Sequence, residues 1–198
     1  MTDVEARTPV RERLLDAAQD VIEKTGWSSV KMAGIADIAG VSRQTVYNEF
    51  GTKHGLAQQL VFRELDRFLA VVRDRMAVET DIVVGLASAC EGVLLMGEQS
   101  LIVRTIVGTQ PDEHDTDLLQ LLTTESGEVI DSAVLVVKEC IHEFYPPLPF
   151  TEAELDVALE VIVRLVLSAI TRPAKPPHEA AADIAWIVAL VLKGAAAS

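Results

Sequence analysis

The stretch VSRQTVYNEFGTKHGL, residues 41–56, is punctuated more tightly than anything else in the chain. Ser42 stands where a helix N-cap belongs, because its hydroxyl can accept from one of the backbone N–H groups that the first turn leaves without partners. Val41 before it and Val46 inside it form a hydrophobic staple, and Gly51 stops the helix one residue after Phe50. Thr52 then caps a second helix that runs without Pro or Gly breaks from Gly55 onward, so the spacing predicts a helix from Lys53 to about Val78. Apolar contacts account for Val41, Val46 and Phe50 but leave Arg43, Gln44, Thr45, Tyr47 and Asn48 facing away from any core.

Upstream, TPVRERLLDAAQDVIEKTG reads as a helix with Thr8 as cap, Pro9 in its first turn and Gly26 as stop. Its apolar face comprises Leu14, Leu15, Ala18, Val21 and Ile22. A short helix follows from about Lys31 to Ala39, with Ser28 and Ser29 as candidate caps and Gly40 as its end. Two short helices joined at Gly40 match a helix-turn-helix, whose second helix enters the DNA major groove. Arg43 and Gln44 suit bidentate bonds to guanine and adenine. Thr45 offers a hydroxyl and a methyl, while Tyr47 and Asn48 donate to backbone oxygens. Lys53 adds a cation beside two helix N-termini, both of which attract phosphate.

The strongest portion, IADIAGVSRQTVYNEFGTKHGL, carries an Ala-Gly-Val-Ser turn, a Val-Tyr pair, Phe50 and the Lys53 to Leu56 spacing. Through it, residues 8–56 resemble the DNA-binding domain of the tetracycline-repressor family of bacterial transcription regulators. The resemblance implies an all-α chain: a three-helix head over residues 1–52, then a helical effector-binding and dimerisation domain over 53–198. It also implies a homodimer on a palindromic operator, acting as a repressor. Gln44 and Thr45 would lie at the groove, Tyr47 and Lys53 would hold phosphates, and Arg43 could do either. His54 departs from the acidic residue found in many members and reads as a first-turn histidine that is solvated or adds a pH-dependent phosphate contact.

Charge placement fits that division. Residues 1–75 hold eleven basic and eleven acidic side chains, so the net charge of −13 falls on residues 76–198, with six basic against nineteen acidic. Only the first part can approach a polyanion comfortably. With 49% hydrophobic residues, 5% aromatics and abundant Ala, Val, Leu and Ile, the composition favours helices. Further helices are expected over 82–96, 100–107, 117–123, 125–144, 151–171 and 178–195, between breakers such as GTQPDEHD, YPPLP and RPAKPP. The charged N-terminus lacks a signal-peptide core and the apolar run 184–192 is too short to span a bilayer, so a soluble cytoplasmic protein is expected.

Beyond residue 53 the functional signals thin. On the long helix, Arg63, Arg67, Arg73 and Arg75 alternate with Glu64, Asp66 and Asp74, the pattern of a solvated face. Ser88, Cys90 and Glu91, then Arg104 and Thr105, then Arg164 and Ser168 interrupt apolar helical runs and are candidates to line an effector site. Arg164 follows Glu160 by four residues and reads as an ion pair, whereas Arg104 has no acidic neighbour at that spacing and could meet an acidic group of a ligand. An aliphatic cavity would take an apolar or amphipathic effector, but plain core packing has the same composition. The last two long helices carry more apolar surface than one face needs, which places Leu159, Ile162, Val166, Trp186 and Leu190 as candidates for a homodimer interface.

Chemistry of other classes is thinly represented. Glu139 and His142 have di-metal bundle spacing without a second copy, and PDEHDTD, with His114, lacks the order and glycine of a calcium loop. Cys90 and Cys140 have no CxxC partner, and no Gly-rich phosphate loop or nucleophile–base pair is visible. Neither metal nor cofactor is expected, and no catalytic residue. The alternative is a helical ligand-binding or metal-dependent protein with a vestigial helix-turn-helix.

Overall fold

A computed structural model of the chain describes residues 9–108 and 116–196. The described residues form helices α1 (Val10–Thr25), α2 (Met32–Ala39), α3 (Arg43–Phe50), α4 (Lys53–Ala77), α5 (Ile82–Gln99), α6 (Leu101–Gly108), α7 (Thr116–Leu122), α8 (Gly127–Phe144), α9 (Glu152–Thr171) and α10 (Pro177–Ala196). The fold is all-α, with the helix-turn-helix at the N-terminal end and a larger helical part behind it.

α3, α4 and α9 start on side-chain caps. Ser42 Oγ accepts from the Thr45 amide at 3.1 Å, Thr52 Oγ1 from Gly55 at 3.0 Å, and Thr151 forms a full capping box with Glu154. In that box the Thr151 amide and hydroxyl both bond the Glu154 carboxylate and hold it below its usual pKa. Gly40 ends α2 in the left-handed region (φ 66°), which lets Val41 reach back to the Ala36 carbonyl and sets the turn into α3.

Four expectations of detail need correction. Thr8 lies outside the described residues, and Pro9 occupies the N-cap of α1 with no side-chain bond. Ser28 and Ser29 do not cap α2: they belong to a single 3-10 turn, Trp27–Ser29, and Lys31 holds that N-cap. α5 runs past Met96 to Gln99, because Ser100, whose hydroxyl accepts from Val103, is the true start of the next helix. α8 begins at Gly127, since residues 123–126 close α7 through the Glu125 amide on the Gln120 carbonyl. The PDEHD loop lies outside the described residues.

One apolar cluster fills the head: Leu14, Trp27, Ile35, Val46, Phe50 and Leu60 are buried together, and the cluster continues without a break into Ile102, Leu118 and Val129. A second gathers Phe68, Met76, Leu86, Leu94, Val137 and Leu159 where α4 and α8 meet α5, α9 and α10. α5 is long and apolar enough to cross a membrane by length and composition, but it packs against α4 and α10 inside the bundle. The face of α4 that alternates in charge is not simply solvated. Arg63 is held against α1 by Glu12 and Asp16, Arg67 pairs with the buried Glu64, and Arg73 reaches Glu139 and Glu143 on α8. Long cations were legible there, but the partners of Arg63 and Arg73 sit on other helices.

Buried Tyr145, just past α8, ties down the far end of α4 by donating to the Met76 carbonyl at 2.8 Å, and burial pushes its phenol pKa up. Tyr145→Phe removes the donor but keeps the ring, so it should cost about 1 kcal/mol and lower Tm by about 2–4 °C in a thermal melt.

Candidate functional site

The outer face of α3 is built from its cap outward. Ser42 and Thr45 hydroxyls lie 2.8 Å apart, so Thr45 is engaged at the cap and half-buried, while Ser42, Arg43, Gln44, Tyr47 and Asn48 are exposed. Gln44 donates to Asn48 at 2.8 Å, which aligns the two amides on one turn of the helix. Tyr47 is 50% exposed, a large area for an aromatic side chain with no core to fill. The Lys53 ammonium sits over the Trp27 ring, 4.7 Å from its centroid, and donates to the Trp27 carbonyl at 3.0 Å. This fixes the start of α4 against the 3-10 turn that precedes α2 and leaves Lys53 two further N–H donors. His54 is not simply solvated: its Nε2 lies 3.2 Å from Glu125, on the turn before α8.

α3 is braced from behind. Arg11 pairs with Glu49 at 3.1 Å and also bonds Gln59, and Arg13 donates to the Ala39 carbonyl at the end of α2. Removing the cap by Ser42→Ala should cost about 1 kcal/mol. Because it loosens the first turn of α3, it should weaken DNA binding along with lowering Tm.

The larger part encloses a cavity of about 130 Å³ between α4, α5, α6, α8 and α9. Its wall is almost wholly carbon, with Phe68, Leu86, Val93, Val137, Leu159 and Ile162 among the lining. Glu64 contributes its methylenes there while its carboxylate turns to Arg67 at 3.1 Å. Cys90 also lines it, and burial pushes its thiol up to about 12, so it acts as an apolar wall group rather than a nucleophile. Cys90 and Cys140 are both free and buried.

The candidate effector residues divide. Cys90 lines this cavity; Arg104, Thr105 and Ser168 line a separate, wider cleft of about 790 Å³ where α5 and α6 face the end of α9 and the start of α10. Ser88 and Glu91 line neither. Arg164 pairs with Glu160 at 2.7 Å as its spacing implies. Sequence reading missed the contribution of α4. Val61, Glu64, Leu65, Phe68 and Val72 recur at helical spacing on one face, which was the available signal.

The candidate interface residues divide as well. Trp186 is 64% exposed and Leu190 is exposed beside it, continuing with Val157, Val161 and Leu165 on α9 and Ile187 and Val191 on α10 as an apolar surface. Leu159 is instead buried in the chain's own core, and Ile162 and Val166 are half-buried against the cavity. Metal chemistry gains nothing: Glu139 turns to Arg73 and His142 to Glu152, and no cluster of metal-ligating side chains occurs among the described residues.

Two family models match, that of the bacterial regulatory proteins of the tetR family over residues 14–60 and that of the bacterial tetracyclin repressor C-terminal domain over 81–189. The chain is 31% identical over 185 residues to the transcriptional regulator AlkX of Mycobacterium tuberculosis, spanning 92% of this chain and 85% of that protein. Among solved structures it superposes on AlkX from a Dietzia species, a repressor implicated in biodegradation of n-alkanes, with a TM-score of 0.76 and 28% identity over 92% of this chain and 97% of the other. The repressor QsdR of R. erythropolis shares the fold at a TM-score of 0.62 and 16% identity, over 90% of this chain and 93% of that one. These relatives are regulators rather than enzymes, and the helix-turn-helix here keeps the polar face that reading DNA requires. The chain belongs to the tetracycline-repressor family of DNA-binding transcription regulators.

Proposed function

We propose that the protein is a homodimeric repressor that binds a palindromic operator through Arg43, Gln44, Thr45, Tyr47, Asn48 and Lys53, and leaves it when an aliphatic effector fills the cavity under α4. In this reading residues 1–52 form the head and 53–198 the effector and dimerisation part. The observation that carries it is a shared wall: Val61, Ile102 and Val129 line the cavity and also belong to the apolar cluster of the head. A ligand pressing on them acts on the packing that sets α3, and Arg63, bonded to Glu12 and Asp16, passes a tilt of α4 to α1.

Two protomers joined through the exposed faces of α9 and α10 would carry two heads about 34–36 Å apart, one turn of B-DNA. The implication of a related repressor in n-alkane degradation agrees with a carbon-lined cavity. Replacing Tyr47 and Lys53 together by Ala tests the reading: DNA affinity should fall at least about tenfold, with a smaller salt slope, while sedimentation still gives a dimer. Undiminished DNA binding by the double variant would contradict it.

A further inference from the structure

Positive charge in the acidic part of the chain gathers at one place. Of the six basic residues in 76–198, three, Arg104, Arg172 and Lys175, line the cleft of about 790 Å³ between α5, α6, α9 and α10, and none of the six lines the carbon-walled cavity. Lys138 and Arg164 are taken up by Glu152, Asp156 and Glu160, and Lys175 by Asp183. Arg104 and Arg172 are exposed, and among the described residues neither is paired with a carboxylate, although nineteen acidic side chains share that part of the sequence. Pro177, the first residue of the 20-residue α10, and Ala180 in its first turn line the same cleft, so the positive end of a long helix opens on to it. Glu23 and Glu98 also stand on its wall, Leu165, Ala169 and Pro173 supply carbon, and Ser168 supplies a hydroxyl.

We propose that this cleft is a second ligand site, distinct from the cavity, which binds a small organic oxyanion, a carboxylate or a phosphate monoester, on Arg104 and Arg172. The inference stands apart from the reading of the cavity: it neither requires the cavity to be filled nor assigns its ligand. A single exposed ion pair contributes little, but two guanidinium forks meeting one oxyanion make several charge-assisted hydrogen bonds, and the start of α10 adds to their field. Repulsion from Glu23 and Glu98 orients the ligand with its anion on the arginines, while its carbon body lies on Leu165, Ala169 and Pro173. Ile22, a member of the head's apolar cluster, lines the cleft too, so an occupant touches the head and the larger part together.

The test is calorimetric titration of the full-length protein, at low ionic strength, with phenyl phosphate, benzoate and benzyl alcohol, repeated on Arg104→Gln/Arg172→Gln and on Arg104→Lys/Arg172→Lys. Phenyl phosphate or benzoate should bind once per protomer and about tenfold or more tighter than benzyl alcohol. The glutamine pair should abolish that advantage, and the lysine pair should keep part of it, because an ammonium retains the charge but not the fork. Neither arginine lines the cavity, so binding lost in the glutamine pair belongs to the cleft. The phosphate and carboxylate arms tell the two oxyanions apart. Both side chains are exposed, so the glutamine pair should keep the helicity and Tm of the parent, which separates lost affinity from lost fold. Benzyl alcohol binding as tightly as both anions, or anion binding untouched in the glutamine pair, overturns the proposal.

Discussion

Gly55→Ala should disable the reading head although it replaces glycine by the best helix former. A Cβ at position 55 would lie 2.1 Å from the Phe50 carbonyl oxygen, a backbone atom with no soft rotamer to yield. Alanine gains about 1 kcal/mol of helix propensity inside α4, but relieving such an overlap costs about 1–3 kcal/mol or more and can be met only by prising α3 from α4. Phe50 and Leu56, both buried in the head cluster, must move with them. The net loss should be about 2 kcal/mol, a fall in Tm of about 4–8 °C, with operator affinity reduced well beyond tenfold because the displaced element is the one proposed to meet the bases. A melt and a DNA titration of the same preparation check both halves of the expectation.

Trp186→Glu combined with Leu190→Glu should separate the protomers of the proposed dimer without unfolding them. Both side chains are exposed in the single chain and belong to the apolar surface of α9 and α10, so the substitutions open no cavity in either core. Two carboxylates on each side of a two-fold interface oppose each other and their own desolvation. Linked heads bind a two-site operator with an avidity gain of roughly 10²–10⁴, and a monomer forfeits it. Sedimentation should give a monomer of unchanged helicity, and operator affinity should fall by about that factor; a stable dimer would place the interface elsewhere.

Local signals were the ones the sequence made legible. Ser42 and Thr52 each bond an amide three residues ahead, so side-chain chemistry alone marked where α3 and α4 begin. The head was readable for the same reason, its staple, stop and exposed polar face lying within sixteen consecutive residues. What failed was phase on helices that are apolar on several sides. Along α9, Leu155 and Leu159 turn inward and Ile162 and Val166 toward the cavity, whereas Val157, Val161 and Leu165 face out. All seven are aliphatic, so composition cannot say which side meets which neighbour. Arg63 was misread because its partners lie on α1, beyond the reach of any spacing rule on α4, and Glu64 because its methylenes line the cavity while its carboxylate pairs with Arg67 on the same helix.

The most direct measurement is fluorescence anisotropy of the protein with duplex DNA from upstream of its own coding region, beside an unrelated duplex and across salt concentrations. The account predicts saturable binding by a dimer, at least about 10³ tighter on the upstream DNA and weakening steeply with salt. Equal, weak binding to both duplexes, and no operator recovered from a random-sequence selection, would contradict it.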